Sequence, residues 1–150
     1  MDKKEEKYIP FIKTEMVREK NAVYHGEISS PKDAAGFALQ YFGNAPKEMA
    51  AVLSLDAKNQ PVAFEIVSIG LLSACMIGMP EVFRHAILAC ADSILCFHNH
   101  PSSRTEPSVE DIRATRKLKE AGQILGIKLL DHIIVGSGGK YTSLKEAGYI

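Results

Sequence analysis

The pattern of hydrophobic and polar positions in the first half of the chain predicts one helix followed by a pair of strands. Apolar residues recur at helical spacing after Pro31, a residue favoured in the first turn, and they predict a helix over 31–42 that Ser30 caps and Gly43 ends. The next segment, EMAAVLSLDAKNQPVAFEIVSIG, has two apolar runs on either side of the polar stretch DAKNQP. Such a pattern is typical of a β-hairpin.

The second half of the chain alternates between helices and short apolar runs. A helix is predicted over 80–90, and its apolar face comprises Val82, Phe83, Ala86, Ile87 and Cys90. The run SILCF, residues 93–97, is continuous and apolar, which indicates an internal strand of a sheet. Another helix is predicted over 108–124, ended by Gly126, with an apolar face of Ile112, Leu118, Ala121 and Leu125. The run IKLLDHIIVG after it predicts a further buried strand.

This alternation of helices and strands indicates a single α/β domain. The chain has 150 residues, of which 46% are hydrophobic and 24% charged, enough for one core and too few for two ordinary domains. We predict that the domain covers residues 11–150 and that residues 1–10 form a disordered or loosely attached tail. The segment FIKTEMVREK, residues 11–20, favours an edge strand.

Charge and cysteine content argue against several classes of protein. The formal charge is zero at pH 7, so the chain has no overall basic field of the kind that drives non-specific binding to nucleic acid. The cysteines lie in apolar segments without a C-x-x-C pair, and we expect Cys75, Cys90 and Cys96 to be reduced core thiols that do not bind metal. The charged start and the lack of a long apolar run predict a cytoplasmic protein without a membrane-spanning segment.

One polar stretch, CFHNHPSSRTEPSVEDI at residues 96–112, follows a predicted buried strand and leads into a helix. His98 and His100 are two residues apart, so on an extended backbone both imidazoles project to one side while Asn99 points away. Asp111 follows in the first turn of the helix, where the loop can fold it back beside the histidines. Two histidines and a carboxylate are a common ligand set for catalytic zinc, and strand ends of this kind are where α/β sheets bind ligands.

The same stretch admits interpretations that involve no metal. A loop histidine is often only solvated or hydrogen-bonded, and Ser108 with Asp111 fits the S-x-x-[DE] capping box of a helix. Capping explains the serine and the aspartate, but not two histidines directed to one side. The letters HNH coincide with the name of a nuclease motif whose residues come from separated segments, and the H-x-E and P-C-x-x-C motifs of zinc deaminases are missing from the sequence.

The spacing H-x-H, seven residues, then S-x-x-D matches the signature of the JAMM metalloprotease superfamily. The segments HNHPS, PSVEDI, EVFRHAIL and LGIKLLDHIIVG further resemble the bacterial RadC family, from about residue 11 to the C-terminus. This resemblance implies the JAMM/MPN fold, which is cytidine-deaminase-like: an α-β-α sandwich with a mixed central sheet. Two features depart from the family. Ser103 replaces the glycine expected after HNHPS, and the helix-hairpin-helix region of full-length RadC is missing from this sequence.

The resemblance also implies a set of site residues. His98, His100 and Asp111 would bind Zn²⁺, which activates a water molecule for attack. The superfamily further requires a glutamate at the start of an upstream strand as general base, and Glu48 in PKEMAAVLSLD has that position. Glu81 in MPEVF is the alternative, but it precedes a predicted helix, where the helix dipole favours an acidic residue for structural reasons alone.

The implied activity is that of a zinc-dependent metallohydrolase that cleaves peptide or isopeptide bonds in a protein substrate. Ser108, at the start of the helix that carries Asp111, would donate a hydrogen bond to the oxyanion of the tetrahedral intermediate. In the strand IKLLDHIIVG, the polar residues Asp131 and His132 need partners, either as an ordinary core pair or in support of the metal ligands.

The alternative is a metal-stabilised binding module without catalytic activity, associated with DNA repair or mobile elements as RadC relatives are. The neutral charge and the missing helix-hairpin-helix region weigh against direct binding of DNA by this domain. The basic residues of the last predicted helix fit the solvated face of an amphipathic helix; they are Arg113, Arg116, Lys117 and Lys119.

Overall fold

Three α-helices and five strands alternate in the described part of the chain, which comprises residues 7–24, 27–42, 44–69 and 78–150 of a computed structural model. In chain order they are α1 (Pro31–Phe42), β1 (Met49–Leu55), β2 (Pro61–Ile69), α2 (Met79–Leu88), β3 (Ser93–Asn99), α3 (Val109–Leu125), β4 (Lys128–Val135) and β5 (Tyr141–Ser143). All three predicted helices and the four predicted strands after residue 47 are present. The three-residue β5 was not predicted from the sequence.

The strands form one mixed sheet in the order β2-β1-β3-β4-β5. The predicted hairpin is confirmed, since β1 and β2 pair antiparallel, and β3 lies between an antiparallel neighbour, β1, and a parallel neighbour, β4. Every residue of β3 is buried, as a continuous apolar run predicts for an internal strand. The sheet therefore places the end of β3 between the start of β1 and the end of β4.

Helices cover both faces of this sheet. The core on the α1 side joins residues of α1 to alternate residues of β1, β3 and β4, among them Phe37, Ala38, Leu53, Phe97 and Ile133. The core on the other side joins α2 and α3 to the intervening residues, among them Val82, Leu118, Val52, Ile94 and Cys96. The predicted α-β-α sandwich with a mixed sheet is confirmed.

Side-chain caps fix where α1 and α3 begin. Ser30 Oγ accepts a hydrogen bond from Asp33 N at 3.2 Å and donates one to the Asp33 carboxylate at 2.7 Å, as the capping pattern before α1 predicts. A reciprocal capping box of Ser108 and Asp111 starts α3. Gly126 ends α3 with a φ of 71°, a left-handed conformation that glycine adopts without strain.

The prediction of an edge strand at residues 11–20 was wrong. Residues 7–24 contain no regular secondary structure, and all of their side chains are exposed, including Phe11 and Ile12. Because these apolar side chains bury no surface against the sheet, nothing offsets the entropy cost of ordering the segment as a strand.

Three residues predicted on apolar helix faces are exposed instead. Ile87 is 56% exposed and Leu125 48%, and each lies in the last turn of its helix. Cys90 follows the end of α2 with a φ of 51° and is an exposed free thiol, which corrects its assignment to the core. Cys96 is a free, buried thiol as predicted, and burial raises its pKa to about 12.

Some predictions fall on residues outside the described ranges: the tail at residues 1–6, the helix-ending role of Gly43 and the core position of Cys75. Among the helices that the structure describes, none combines the length and apolar character needed to cross a bilayer.

Candidate metal centre

His98, His100 and Asp111 converge at the end of the central strand β3. The two Nε2 atoms of the histidines lie 2.9 Å apart. Asp111 Oδ1 lies 3.4 Å from His98 Nε2, and Asp111 Oδ2 lies 3.4 Å from His100 Nε2. One ligand atom from each residue falls within 4.8 Å of the others, so the predicted ligand triad is brought together in the structure.

Backbone and capping contacts hold each of these side chains in place. His98 is paired with Ala50 across the sheet, and His100 N donates to the carbonyl of Val135, which extends the β3–β4 contact past the end of β3. Asp111 Oδ2 accepts from Ser108 N at 2.7 Å, while Asp111 N donates to Ser108 Oγ at 3.1 Å. The capping box thus orients the same carboxylate that faces the histidines, and the two interpretations of this stretch are compatible.

The donor set fits a small divalent cation. His100 Nδ1 lies 2.6 Å from the carbonyl oxygen of Arg104, which can only accept, so Nδ1 carries the proton and the neutral ring presents a lone pair at Nε2. Metal–ligand bonds of about 2.0–2.1 Å in a tetrahedral arrangement separate neighbouring ligand atoms by about 3.3 Å. The separations of 2.9 and 3.4 Å bracket that value. These residues could therefore hold a metal ion.

The charges of the group favour a bound cation. Burial raises the pKa of Asp111, but the contacts of its carboxylate with His100 and His98 outweigh burial and hold this pKa well below the usual range, so the carboxylate is ionised at neutral pH. The pKa of His100 is raised, chiefly by its hydrogen bond to Asp111 and further by the Arg104 carbonyl and the charge of Glu48. Anionic groups thus stabilise positive charge at this point, whether a proton or a metal ion carries it.

The structure separates the two glutamates that the sequence left as alternatives. Glu48 is partly buried, immediately precedes β1, and is the second acidic residue whose charge acts on His100. Glu81 is exposed in the first turn of α2, and its carboxylate lies so close to Gly78 that a Cβ there would come within 1.9 Å of it. That position suits an acidic side chain at a helix N-terminus. Of the two glutamates, Glu48 is the one whose charge acts on a member of the triad.

A family profile described as the RadC-like JAB domain matches residues 28–149, a span that contains the ligand triad, Glu48 and Ser108. The chain belongs to this family. The match confirms the resemblance seen in the sequence and agrees with the JAMM/MPN fold of the structure.

Curated relatives of this JAB domain are named UPF0758 proteins. One from Methanosarcina mazei is 45% identical over 124 residues, which cover 83% of this chain and 54% of that protein. Another, from Staphylococcus carnosus, is 39% identical over 145 residues, covering 97% of this chain and 59% of that protein. The chain therefore spans a little over half the length of these relatives.

Asn99 lies between the two histidines of this JAB domain, and its side chain is on the opposite side of β3. Its side chain is buried; Oδ1 accepts from Met49 N at 2.6 Å, and Nδ2 donates to the carbonyls of Lys47 at 3.0 Å and Ala45 at 3.3 Å. These contacts flank Glu48 on both sides. The alternation of β3 thus directs the histidines towards α3 and the asparagine towards the segment that carries Glu48.

Replacing Asn99 by alanine is expected to lower the free energy of unfolding by about 1–3 kcal/mol, because the backbone groups of Ala45, Lys47 and Met49 lose the hydrogen bonds that this buried side chain makes. Urea unfolding measures this change, and the exposed Asn44 provides a matched control in Asn44→Ala. Equal unfolding midpoints for the two variants would show that the contacts of Asn99 are unimportant for stability.

The loop after His100 holds its serine in a conformation that suits glycine. Ser103 has a φ of 61°, a left-handed conformation that glycine adopts more easily. Its hydroxyl contacts that of Ser137, and a Cβ on Gly136 would lie only 3.1 Å from Ser103 Cα. Close packing against a glycine therefore holds the loop in place and keeps the strained residue in its conformation.

The two polar residues of β4, Asp131 and His132, have different roles. Asp131 is a satisfied core residue, since its carboxylate accepts from His132 N, Lys145 N and the Ser143 hydroxyl. The His132 side chain points instead to the ligands, with Nε2 at 2.8 Å from His98 Nδ1, and burial lowers its pKa well below the usual value.

Thr115 was not predicted from the sequence as a residue near the site, although its position in the pattern of α3 could have identified it. It lies one helical turn after Asp111, on the same face as Leu118, and it is completely buried. A polar residue within an apolar helix face needs a buried partner, and a position four residues after a metal ligand places that partner near the site.

Proposed function

We propose that this domain is a zinc-dependent metallohydrolase that cleaves peptide or isopeptide bonds. The observation that carries the proposal is the convergence of two imidazole Nε2 atoms and an ionised carboxylate. Glu48 lies close enough to act electrostatically on one of these residues, His100. Two histidines and a carboxylate leave a fourth position for water or substrate, which distinguishes a catalytic zinc site from a closed structural one. Membership of the RadC-like JAB family supports this assignment.

In the proposed reaction, Glu48 is the residue that moves protons. When bound, Zn²⁺ would supply an activated water and polarise the scissile carbonyl. Glu48 would accept the proton that this water loses and deliver it to the leaving amine, acting first as general base and then as general acid. Asn99 holds the backbone on both sides of Glu48, which is partly buried just before β1, and this support would keep the Glu48 carboxylate at the site.

Ser108 would contribute to stabilisation of the oxyanion. In the capping box, Ser108 Oγ accepts a hydrogen bond from Asp111 N, which orients the hydroxyl oxygen next to the ligand carboxylate. The side chain is exposed, so the hydroxyl proton can reach a bound substrate. A single well-oriented donor of this kind is worth about 10²–10³ in rate.

The proposed substrate is a protein or peptide rather than DNA. The basic residues of α3 are exposed as the sequence predicts, and the same helix also exposes the acidic residues Glu110 and Glu120, which offset part of this positive charge. Affinity for a duplex depends on concentrated positive charge, so we expect weak DNA binding near physiological salt.

The free thiols Cys90 and Cys96 support a cytoplasmic location.

Protein purified without a histidine tag is expected to contain about one zinc ion per chain and to hydrolyse members of a panel of unstructured and isopeptide-linked peptides. Elemental analysis and mass spectrometry of the products measure the two properties, and loss of hydrolysis on chelation with recovery on adding Zn²⁺ links them. Stoichiometric zinc without hydrolysis of any peptide, together with salt-dependent retention on duplex DNA, would overturn the proposal in favour of a metal-stabilised binding module.

A further inference from the structure

Behind His98, two buried polar side chains continue the site as a hydrogen-bonded chain. His98 Nδ1 lies 2.8 Å from His132 Nε2, and His132 Nδ1 lies 2.6 Å from Thr115 Oγ1. Thr115 Oγ1 lies 2.6 Å from the carbonyl oxygen of Asp111. The chain therefore begins at one metal ligand and ends at the backbone of another, and both connecting residues have no solvent exposure.

The direction of every bond in this chain follows from its last member. A carbonyl oxygen can only accept, so the Thr115 hydroxyl donates its single proton to Asp111. Thr115 Oγ1 must then accept from His132 Nδ1, which carries the ring proton and leaves Nε2 of the neutral ring as an acceptor. His98 Nδ1 consequently donates to His132, and the lone pair of the neutral His98 ring lies at Nε2, facing His100 and Asp111.

We infer that His132 and Thr115 are positioning residues that hold His98 in the tautomer and ring orientation needed to bind the metal. This inference rests on the metal site of the proposed function. Histidine ligands commonly donate their second N–H to a carboxylate, carbonyl or water, which raises ligand basicity and fixes the ring. Here the acceptor is a second histidine, and its own tautomer is imposed by a threonine one helical turn after Asp111.

The arrangement also connects the three elements that meet at the site. His98 belongs to β3, and His132 belongs to the neighbouring parallel strand β4. Thr115 belongs to α3, whose first turn contains Asp111. A shift of α3 relative to the sheet would therefore change the orientation of the His98 ring as well as the position of Asp111. The geometry assigns the buried chain a role in metal affinity, beyond the packing of α3 on β4.

Thr115→Val tests this inference because it keeps the shape of the side chain and removes the hydroxyl. Without that acceptor, His132 is expected to protonate Nε2 and donate to His98 Nδ1, which moves the His98 proton to Nε2, where the metal binds. Affinity for Zn²⁺, measured by competition with a chromophoric chelator at neutral pH, should fall about 10- to 100-fold. Thr115→Ser keeps a hydroxyl and is the matched control, expected to stay near the wild-type affinity.

Histidine-ring NMR of the metal-free protein gives a second readout that needs neither substrate nor activity. Long-range ¹H–¹⁵N correlations should show His98 protonated at Nδ1 in the wild type and in Thr115→Ser, and at Nε2 in Thr115→Val. Wild-type protein with His98 protonated at Nε2 would overturn the inference, even if the valine variant failed to fold. Unchanged zinc affinity in a folded Thr115→Val would also overturn it. Reduced affinity with the tautomer change would support the inference whether or not the domain hydrolyses any peptide.

Discussion

Glu48→Gln is expected to lower the rate of peptide hydrolysis by about 10²- to 10⁴-fold while zinc stays bound. Glutamine preserves the shape of the side chain but cannot accept the proton of the attacking water. Glu48 lies outside the triad of possible ligands formed by His98, His100 and Asp111, so the metal content should not change. Steady-state kinetics with any peptide that the wild type cleaves, together with elemental analysis, measure both quantities.

Glu81→Gln is the matched control for this substitution. Glu81 lies in the first turn of α2 against Gly78, so its loss should affect only the start of that helix, by a fraction of a kcal/mol to about 1 kcal/mol. Its rate of hydrolysis should equal that of the wild type. If Glu81→Gln abolished hydrolysis with zinc bound and Glu48→Gln remained fully active, the general base would be Glu81.

Removal of a ligand is expected to abolish both metal binding and hydrolysis. His98→Ala deletes one of the two facing Nε2 atoms, and Asp111→Ala deletes the only carboxylate of the triad. Zinc content should fall from about one ion per chain to a small fraction, because three protein ligands are the usual minimum for a catalytic zinc site. Stability should fall to the extent that metal binding is linked to folding, and thermal unfolding with and without chelator measures that part.

Asp111→Asn separates the two roles of Asp111. An asparagine oxygen can still accept from Ser108 N, so the start of α3 should be retained, whereas the anionic ligand is lost. His85→Ala is the control for loss of a buried histidine outside the triad, since His85 contacts Glu65. Full zinc content in His98→Ala or Asp111→Asn would contradict the proposed ligand set.

Much of the scaffold around the site could be predicted because it depends on local patterns. The continuous run SILCF identifies an internal strand, and Ser108 with Asp111 marks the start of a helix. Two histidines two residues apart on a strand must share a face, so their convergence follows from the backbone alone. These features depend on spacings of a few residues and therefore do not depend on how distant parts of the chain pack.

Features that depend on long-range packing could not be predicted in the same way. Residues 11–20 have a composition suited to a strand, but pairing requires a sheet edge that accepts them, and they remain exposed. The link from Thr115 to His132 joins residues on α3 and β4 that only the packing of helix on sheet brings together. The proposed choice of Glu48 over Glu81 likewise depends on which element begins beside the end of β3.

The opposed directions of His98 and Asn99 determine whether the HNH tripeptide could be moved into another protein. One side of β3 carries the proposed metal ligands, and the other anchors the backbone around Glu48, so both depend on the same strand register. A one-residue slip would exchange the two sides and remove both functions at once. A grafted copy of the tripeptide would therefore need an antiparallel neighbour that carries the glutamate and a parallel neighbour that supports the histidine, so the transplantable unit for design is three strands and a helix.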